Sequence, residues 1–123
     1  MAKVLVVDDS KFMRSRCEKV LVAAGYTVVQ CENGLQGVEN YQQHHPEIVL
    51  LDVNMPIMDG IEALQKILVF DSKAVICMMT AAEQMEKIKE ALSKGAKYYI
   101  LKPFEEDKMT ATIAQMLQRY VHK

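Results

Sequence analysis

Residues 48–52 read Ile48-Val49-Leu50-Leu51-Asp52, four branched apolar residues that stop on a carboxylate. His45-Pro46 precede the run and Met55-Pro56-Ile57-Met58-Asp59-Gly60 follow it, so turn chemistry bounds it on both sides. An apolar run without alternation is the mark of a strand buried on both faces, as found inside a parallel sheet. Open sheets of that kind place their sites at the carboxyl ends of the strands. Asp52 is therefore the residue around which the rest of the chain is read.

The same grammar recurs on either side. Lys3-Val4-Leu5-Val6-Val7 predicts a strand over 3–7 that runs into Asp8-Asp9, with Asp9 or Ser10 placed to cap the next helix. That helix carries Met13, Cys17, Val20, Leu21 and Ala24 on one stripe and closes at Gly25. A second strand is expected over 26–31. Asn33-Gly34 then opens a helix to about residue 44, with Leu35, Val38 and Tyr41 as its inner face. Beyond Asp52, a helix over 59–70 buries Ile61, Leu64, Ile67 and Leu68, and an apolar strand over 74–79 leads to Thr80. A helix over 82–94 has a thinner stripe of Met85, Ile88, Ala91 and Leu92 and stops at Gly95-Ala96. A fifth strand over 98–101 meets Lys102-Pro103, and a last helix over 105–121 buries Met109, Ile113, Met116, Leu117 and Tyr120.

Five strands alternating with five helices predict an α/β fold, a doubly wound parallel sheet with helices on both faces. The 123 residues suffice for one domain with a real core and are too few for two, so 1–123 reads as a single domain. Lys and Arg total 15 against 16 Asp and Glu, which leaves no general electrostatic case for nucleic acid or membrane binding. Cys17, Cys31 and Cys77 are odd in number, far apart and without CxxC spacing, and they read as reduced core thiols. The chain enters its first strand almost at once, leaving no room for a signal peptide, and no apolar run approaches the roughly 20 residues of a membrane span. A soluble cytoplasmic protein is expected.

Parallel strands bring their carboxyl ends to one edge of the sheet. Asp8, Asp9, Asp52, Thr80 and Lys102 therefore converge: three carboxylates, a hydroxyl and an ammonium. Each alone is an ordinary polar strand end; four strands obeying one pattern make a constellation. Clustered carboxylates repel and need a cation or protons. An all-oxygen set without His or Cys favours Mg²⁺, with Mn²⁺ as a substitute, over zinc. Lys102 and Thr80 both offer donors, which suggests an anionic group held against the metal. Phosphoryl transfer onto a carboxylate unites these parts most simply.

Four stretches carry a family resemblance. Val6-Val7-Asp8-Asp9-Ser10, the run from Leu50 through Asp52-Val53-Asn54-Met55-Pro56 to Gly60, Met79-Thr80-Ala81, and the run from Lys94 through Tyr98-Tyr99 to Lys102-Pro103-Phe104 resemble the receiver domain of two-component response regulators. The resemblance spans essentially the whole chain in the family's order and spacing, and Phe12-Met13 is similar to the chemotaxis type in particular. It implies the CheY-like strand order 2-1-3-4-5. It implies that Asp52 takes a phosphoryl group from a histidine kinase or phosphotransfer protein, Thr80 hydrogen-bonds that group and Lys102 pairs with it. It further implies Mg²⁺ on Asp8, Asp9, Asp52 and the backbone carbonyl of Asn54, with Asp9 a direct ligand and Asp8 acting mainly through water.

The switch is likewise an implication of the resemblance. Thr80 is drawn toward the phosphoryl group, Tyr99 turns inward, and the face made by the fourth helix, fifth strand and fifth helix changes. The partners implied are the phosphodonor, a downstream target such as a flagellar switch, and a phosphatase, acting on a monomer. Asn54 and Ala82 flank the path of the hydrolytic water and imply an intermediate rate of autodephosphorylation. Lys102-Pro103 matches the family's cis peptide. The protein would thus catalyse its own phosphorylation and dephosphorylation without being an enzyme in the ordinary sense.

Other features read more plainly. Lys11, Arg14 and Arg16 look like a solvated basic face of the first helix, with guidance of kinase docking as a second reading, and His44-His45 receives no ligand role. A flavodoxin-like cofactor binder would need a Gly- or Ser-rich loop after the first strand, where Asp8-Asp9 would repel a phosphate. A metal-dependent phosphatase would need a substrate pocket or cap, which connections this short do not supply. A phosphorelay shuttle, an excised receiver of a larger regulator and a phosphorylation-independent binding module remain as alternatives, the last opposed by the complete acid–Thr–Lys set.

Overall fold

A computed structural model describes residues 2–122. Five parallel strands, β1 (Lys3–Val7), β2 (Thr27–Cys31), β3 (Ile48–Asp52), β4 (Ile76–Ala81) and β5 (Tyr98–Lys102), form one sheet in the order β2-β1-β3-β4-β5. This is the expected 2-1-3-4-5 arrangement. The helices α1 (Lys11–Ala23), α2 (Gly34–His44), α3 (Gly60–Phe70), α4 (Met85–Ser93) and α5 (Glu106–Met116) connect and follow the strands. Ile48, Val49, Leu50 and Leu51 are all fully buried, as a central strand covered on both faces requires.

Period-two alternation divides the core. Leu5, Val7, Val49, Leu51, Ile76 and Met78 pack with residues of α2, α3 and α4. Val4, Val6, Ile48, Leu50, Cys77, Met79 and Ile100 pack with residues of α1 and α5. Three helices begin on side-chain caps: Ser10 accepts from the Met13 amide, Asn33 from Gln36 and Asp59 from Glu62. Ser10, rather than Asp9, caps α1, which leaves Asp9 free to face the site.

Several expectations need correcting. β4 reaches Ala81, so Thr80 lies inside the strand rather than after it. A 3-10 turn (Ala82–Gln84) precedes α4, and α5 passes into a π-helical turn (Leu117–Val121). Leu35 is 41% exposed; Gly34 and Gly37 instead join Val38 and Tyr41 on the inner face of α2. The reason is closeness: a Cβ on Gly37 would stand 3.1 Å from both Val7 methyls, so a small residue lets α2 settle on β1. Ala24 and Leu92 also turn outward, while Met13, Leu68 and Tyr120 are only half-buried. Lys102-Pro103 is cis, as the resemblance implied.

Candidate functional site

The carboxyl edge of the sheet is built by strand parity. Asp52 continues the inward series Ile48, Leu50, and Lys102 continues Ile100, both toward the α1–α5 side. Asp8 follows Val4 and Val6, and its amide donates to the Cys31 carbonyl (3.0 Å), extending the β1–β2 ladder by one residue. Thr80 continues Ile76 and Met78 and so belongs to the opposite, α4-facing series. Asp8, Asp52 and the ammonium therefore approach the edge from one side of the sheet and the hydroxyl from the other.

One oxygen each of Asp8, Asp9 and Asp52 lies within 4.8 Å of the others. Asp8 is fully buried, Asp52 nearly so, and Asp9 is exposed at the rim. Lys102 Nζ donates to Asp8 Oδ2 at 2.7 Å and lies 3.5 Å from Asp52 Oδ1. The other Asp8 oxygen accepts from the Ser10 amide at 2.9 Å. Burial pushes the Asp52 carboxyl from the ordinary 3.8 up to about 6, the Asp8 charge adding to the rise and Lys102 opposing it. Burial alone would lower the Lys102 ammonium; its hydrogen bond to Asp8 and the Asp52 charge more than offset this, and its pKa is raised. One ammonium against three carboxylates leaves the edge acidic. Those carboxylates, with no His or Cys among them, fit a hard divalent cation such as Mg²⁺.

The loop after β3 is held from below. The Gly60 amide donates to the Val53 carbonyl at 2.8 Å, and the Gly34 amide to the Met58 carbonyl at 3.0 Å. A Cβ on Gly60 would overlap the Asp52 carbonyl oxygen, so only glycine lets α3 start this close to the site. Ile57, in this loop, has φ 70° and is 77% exposed, a strained conformation for a β-branched residue. Asn54 and Ala82 are both exposed at the edge.

Thr80 is buried, and Tyr99 is half-buried in the cluster containing Met78, Ile88 and Ala91. Register places Tyr99 opposite Met78 and Leu101 opposite Thr80. Tyr98 points to the other face and is exposed.

Sequence reasoning missed two residues. Arg14, read as part of a solvated face, is 7% exposed, and its Nη1 donates to the Asp8 carbonyl at 2.8 Å. Arg16 stacks 4.4 Å over the Phe104 ring and donates to the Phe104 carbonyl at 3.2 Å, bracing the segment after Lys102. Helical periodicity pointed in the right direction, since position 14 lies beside Cys17 and Leu21 on the helix, but charge argued the other way.

Cys17, Cys31 and Cys77 are buried free thiols, and burial lifts Cys17 and Cys31 to about 12, far from thiolate chemistry. Among the described residues no helix is long and apolar enough to cross a membrane.

Residues 4–114 match the family model described as the response regulator receiver domain. The chemotaxis protein CheY of Bacillus subtilis (strain 168) is 42% identical over 116 residues, which cover 94% of this chain and 97% of that protein. The solved structure of Vibrio cholerae chemotaxis protein CheY4 superposes with a TM-score of 0.89 at 32% identity, covering 95% of this chain and 99% of that one. A Borrelia burgdorferi CheX–CheY–BeF3–Mg²⁺ complex matches with a TM-score of 0.89 at 33% identity over 94% of this chain and 89% of that one. With these likenesses joined to the strand order and the acidic edge, the chain belongs to the response regulator receiver domain family, the phosphorylation-controlled switches of two-component signalling.

Proposed function

We propose that Asp52 is the phosphoacceptor of a chemotaxis-type receiver and that its donor is the phosphohistidine of a kinase or phosphotransfer protein. The observation that carries this reading is the convergence of Asp8, Asp9 and Asp52 beside Lys102 at the carboxyl edge. An Asp52 carboxylate oxygen attacks phosphorus, the P–N bond breaks, and its electron pair leaves with the imidazole. With a pKa of about 6, Asp52 is mostly ionised at neutral pH and so able to attack. Lys102, already within reach of Asp8 and Asp52, swings to the new phosphoryl oxygens, and the Thr80 hydroxyl donates to them from the other side.

Asp8, Asp9, Asp52 and the Asn54 carbonyl would hold Mg²⁺, which supplies charge neutralisation at the phosphoryl oxygens. Thr80 and Tyr99 form the switch. Thr80 shares its strand face with Met78, and Met78 lies opposite Tyr99, so a shift of Thr80 reaches the α4 side directly. The face made by α4, β5 and α5 carries the signal to a downstream protein. Asn54 and Ala82 set how long the acyl phosphate survives.

A monomer in the cytoplasm, with residues 1–123 as one receiver unit, a flagellar-switch type of target and a phosphatase as third partner, completes the reading. The extended similarity to chemotaxis CheY proteins supports it. The test is intact mass after incubation with acetyl phosphate, with and without Mg²⁺, for the wild type and Asp52→Asn. One phosphoryl group added only to the wild type, and only with Mg²⁺, is the expected result. No adduct in a wild type shown separately to bind Mg²⁺ would overturn it.

A further inference from the structure

We infer that Arg14 is a positioning residue for the carboxylate loop: its buried guanidinium holds the Asp8–Asp9 peptide in place and thereby sets the affinity of the site for a divalent cation. The inference rests on the metal-site reading given above.

Position 14 faces the core on α1 together with Cys17 and Leu21, where leucine or methionine would be buried without a charge to satisfy. A buried guanidinium is costly unless its donors are used. Two of those donors are used here. Nη1 donates to the Asp8 carbonyl at 2.8 Å, and Nε donates to Gln30 Oε1 at 3.1 Å on the neighbouring strand β2. Gln30 is itself fixed, because its Nε2 donates to Glu18 Oε1 at 3.1 Å back on α1. The Arg14–Glu32 pair is long, at 4.0 Å, with an exposed carboxylate, and adds little. The planar fork is thus clamped by the edge strand and aimed at one peptide carbonyl, geometry that a lysine cannot reproduce.

That peptide joins the two acids of the β1 loop. Asp8 is held at every other polar atom: its amide on Cys31, Oδ1 on the Ser10 amide and Oδ2 on Lys102. Asp9 is exposed and has no side-chain hydrogen bond among the described residues. The orientation of the Asp8–Asp9 peptide therefore decides where the Asp9 carboxylate stands, and Arg14 holds its carbonyl. Partners that orient metal ligands typically carry about ten- to hundredfold in metal affinity.

Charge and positioning make opposite predictions. A cation near the site repels Mg²⁺, so removing Arg14 would tighten binding if charge alone mattered. If Arg14 positions the loop, removing it weakens binding. The experiment is isothermal titration of Mg²⁺ into the wild type, Arg14→Met, Arg14→Lys and Gln30→Leu, with thermal unfolding measured alongside. Arg14→Met is expected to weaken Mg²⁺ binding by about ten- to hundredfold. Arg14→Lys should recover part of the loss, and Gln30→Leu, which leaves Arg14 in place without its second anchor, should fall between Lys and wild type. The Mg²⁺ concentration giving half-maximal phosphorylation by acetyl phosphate should rise in parallel.

Unchanged or tighter Mg²⁺ binding in both Arg14→Met and Gln30→Leu, with stability lowered, would overturn the inference and leave Arg14 a purely structural residue. If Arg14→Met does not fold, Gln30→Leu and Arg14→Lys decide. A wild type that binds no Mg²⁺ would overturn the metal-site reading and this inference together, an outcome distinct from variants that match a binding-competent wild type.

Discussion

Replacing Asp52 by asparagine is expected to stabilise the metal-free protein at neutral pH. Asparagine keeps the shape of the side chain and cannot ionise. In the folded protein the Asp52 carboxyl titrates at about 6, against 3.8 in an unperturbed chain, because it is buried beside Asp8. The native state therefore holds this proton more tightly than the unfolded chain does. As pH rises from about 4 to 6, the unfolded chain ionises first, and wild-type stability falls. A rise from 3.8 to about 6 corresponds to about 3 kcal/mol once the carboxyl is ionised in both states. That is a large share of the roughly 5–15 kcal/mol that holds a domain of this size together. The assay is urea denaturation of both proteins in EDTA at about pH 4.5, 6 and 7.5. The advantage of Asp52→Asn should be small at the lowest pH and approach about 3 kcal/mol at the highest. Saturating Mg²⁺ should then return much of the difference to the wild type by mass action. A difference that stays constant across pH would refute the reasoning, because it would mean that Asp52 is not ionised at a cost to the fold.

Gly60→Ala should lower stability by about 1–3 kcal/mol in chemical denaturation, because the new methyl overlaps the Asp52 carbonyl oxygen; an unperturbed midpoint would show that α3 can recede freely. Ile57→Gly should raise stability by about 1 kcal/mol, since glycine adopts φ 70° without the penalty that a β-branched residue carries there; a loss would mean that the exposed side chain is engaged. Asn54→Ala and Ala82→Glu should each change the decay rate of the phosphorylated protein, followed by intact mass after removal of the phosphodonor, and unchanged decay in both would exclude these positions from the path of water.

Much of this is legible in the sequence. The apolar run 48–51 identified its own strand because burial on both faces leaves no polar alternation to interpret. Once the strands are parallel, their carboxyl ends share an edge, so the gathering of Asp8, Asp9, Asp52, Thr80 and Lys102 followed from topology alone. Errors fell where a side chain's surroundings belong to another element. Leu35 looked inward by period, yet α2 turns Gly37 rather than Leu35 onto β1, where a Cβ would stand 3.1 Å from both Val7 methyls. Arg14 and Arg16 looked solvated because they are charged, yet Gln30, the Asp8 carbonyl and Phe104 were waiting for them.

The sequence by itself determined the order and type of the elements, the doubly wound sheet and the residues at its carboxyl edge, because apolar runs, caps and strand ends are local signals. Only the tertiary structure decided that Asp8 is sealed in while Asp9 faces out, that Asp52 holds its proton to about pH 6, and that Thr80 lies on the strand face opposite Asp8 and Asp52. These depend on which neighbours close over each group and which donors reach it. Burial and hydrogen bonding between residues as distant as Asp8 and Lys102 exist only once the chain has folded.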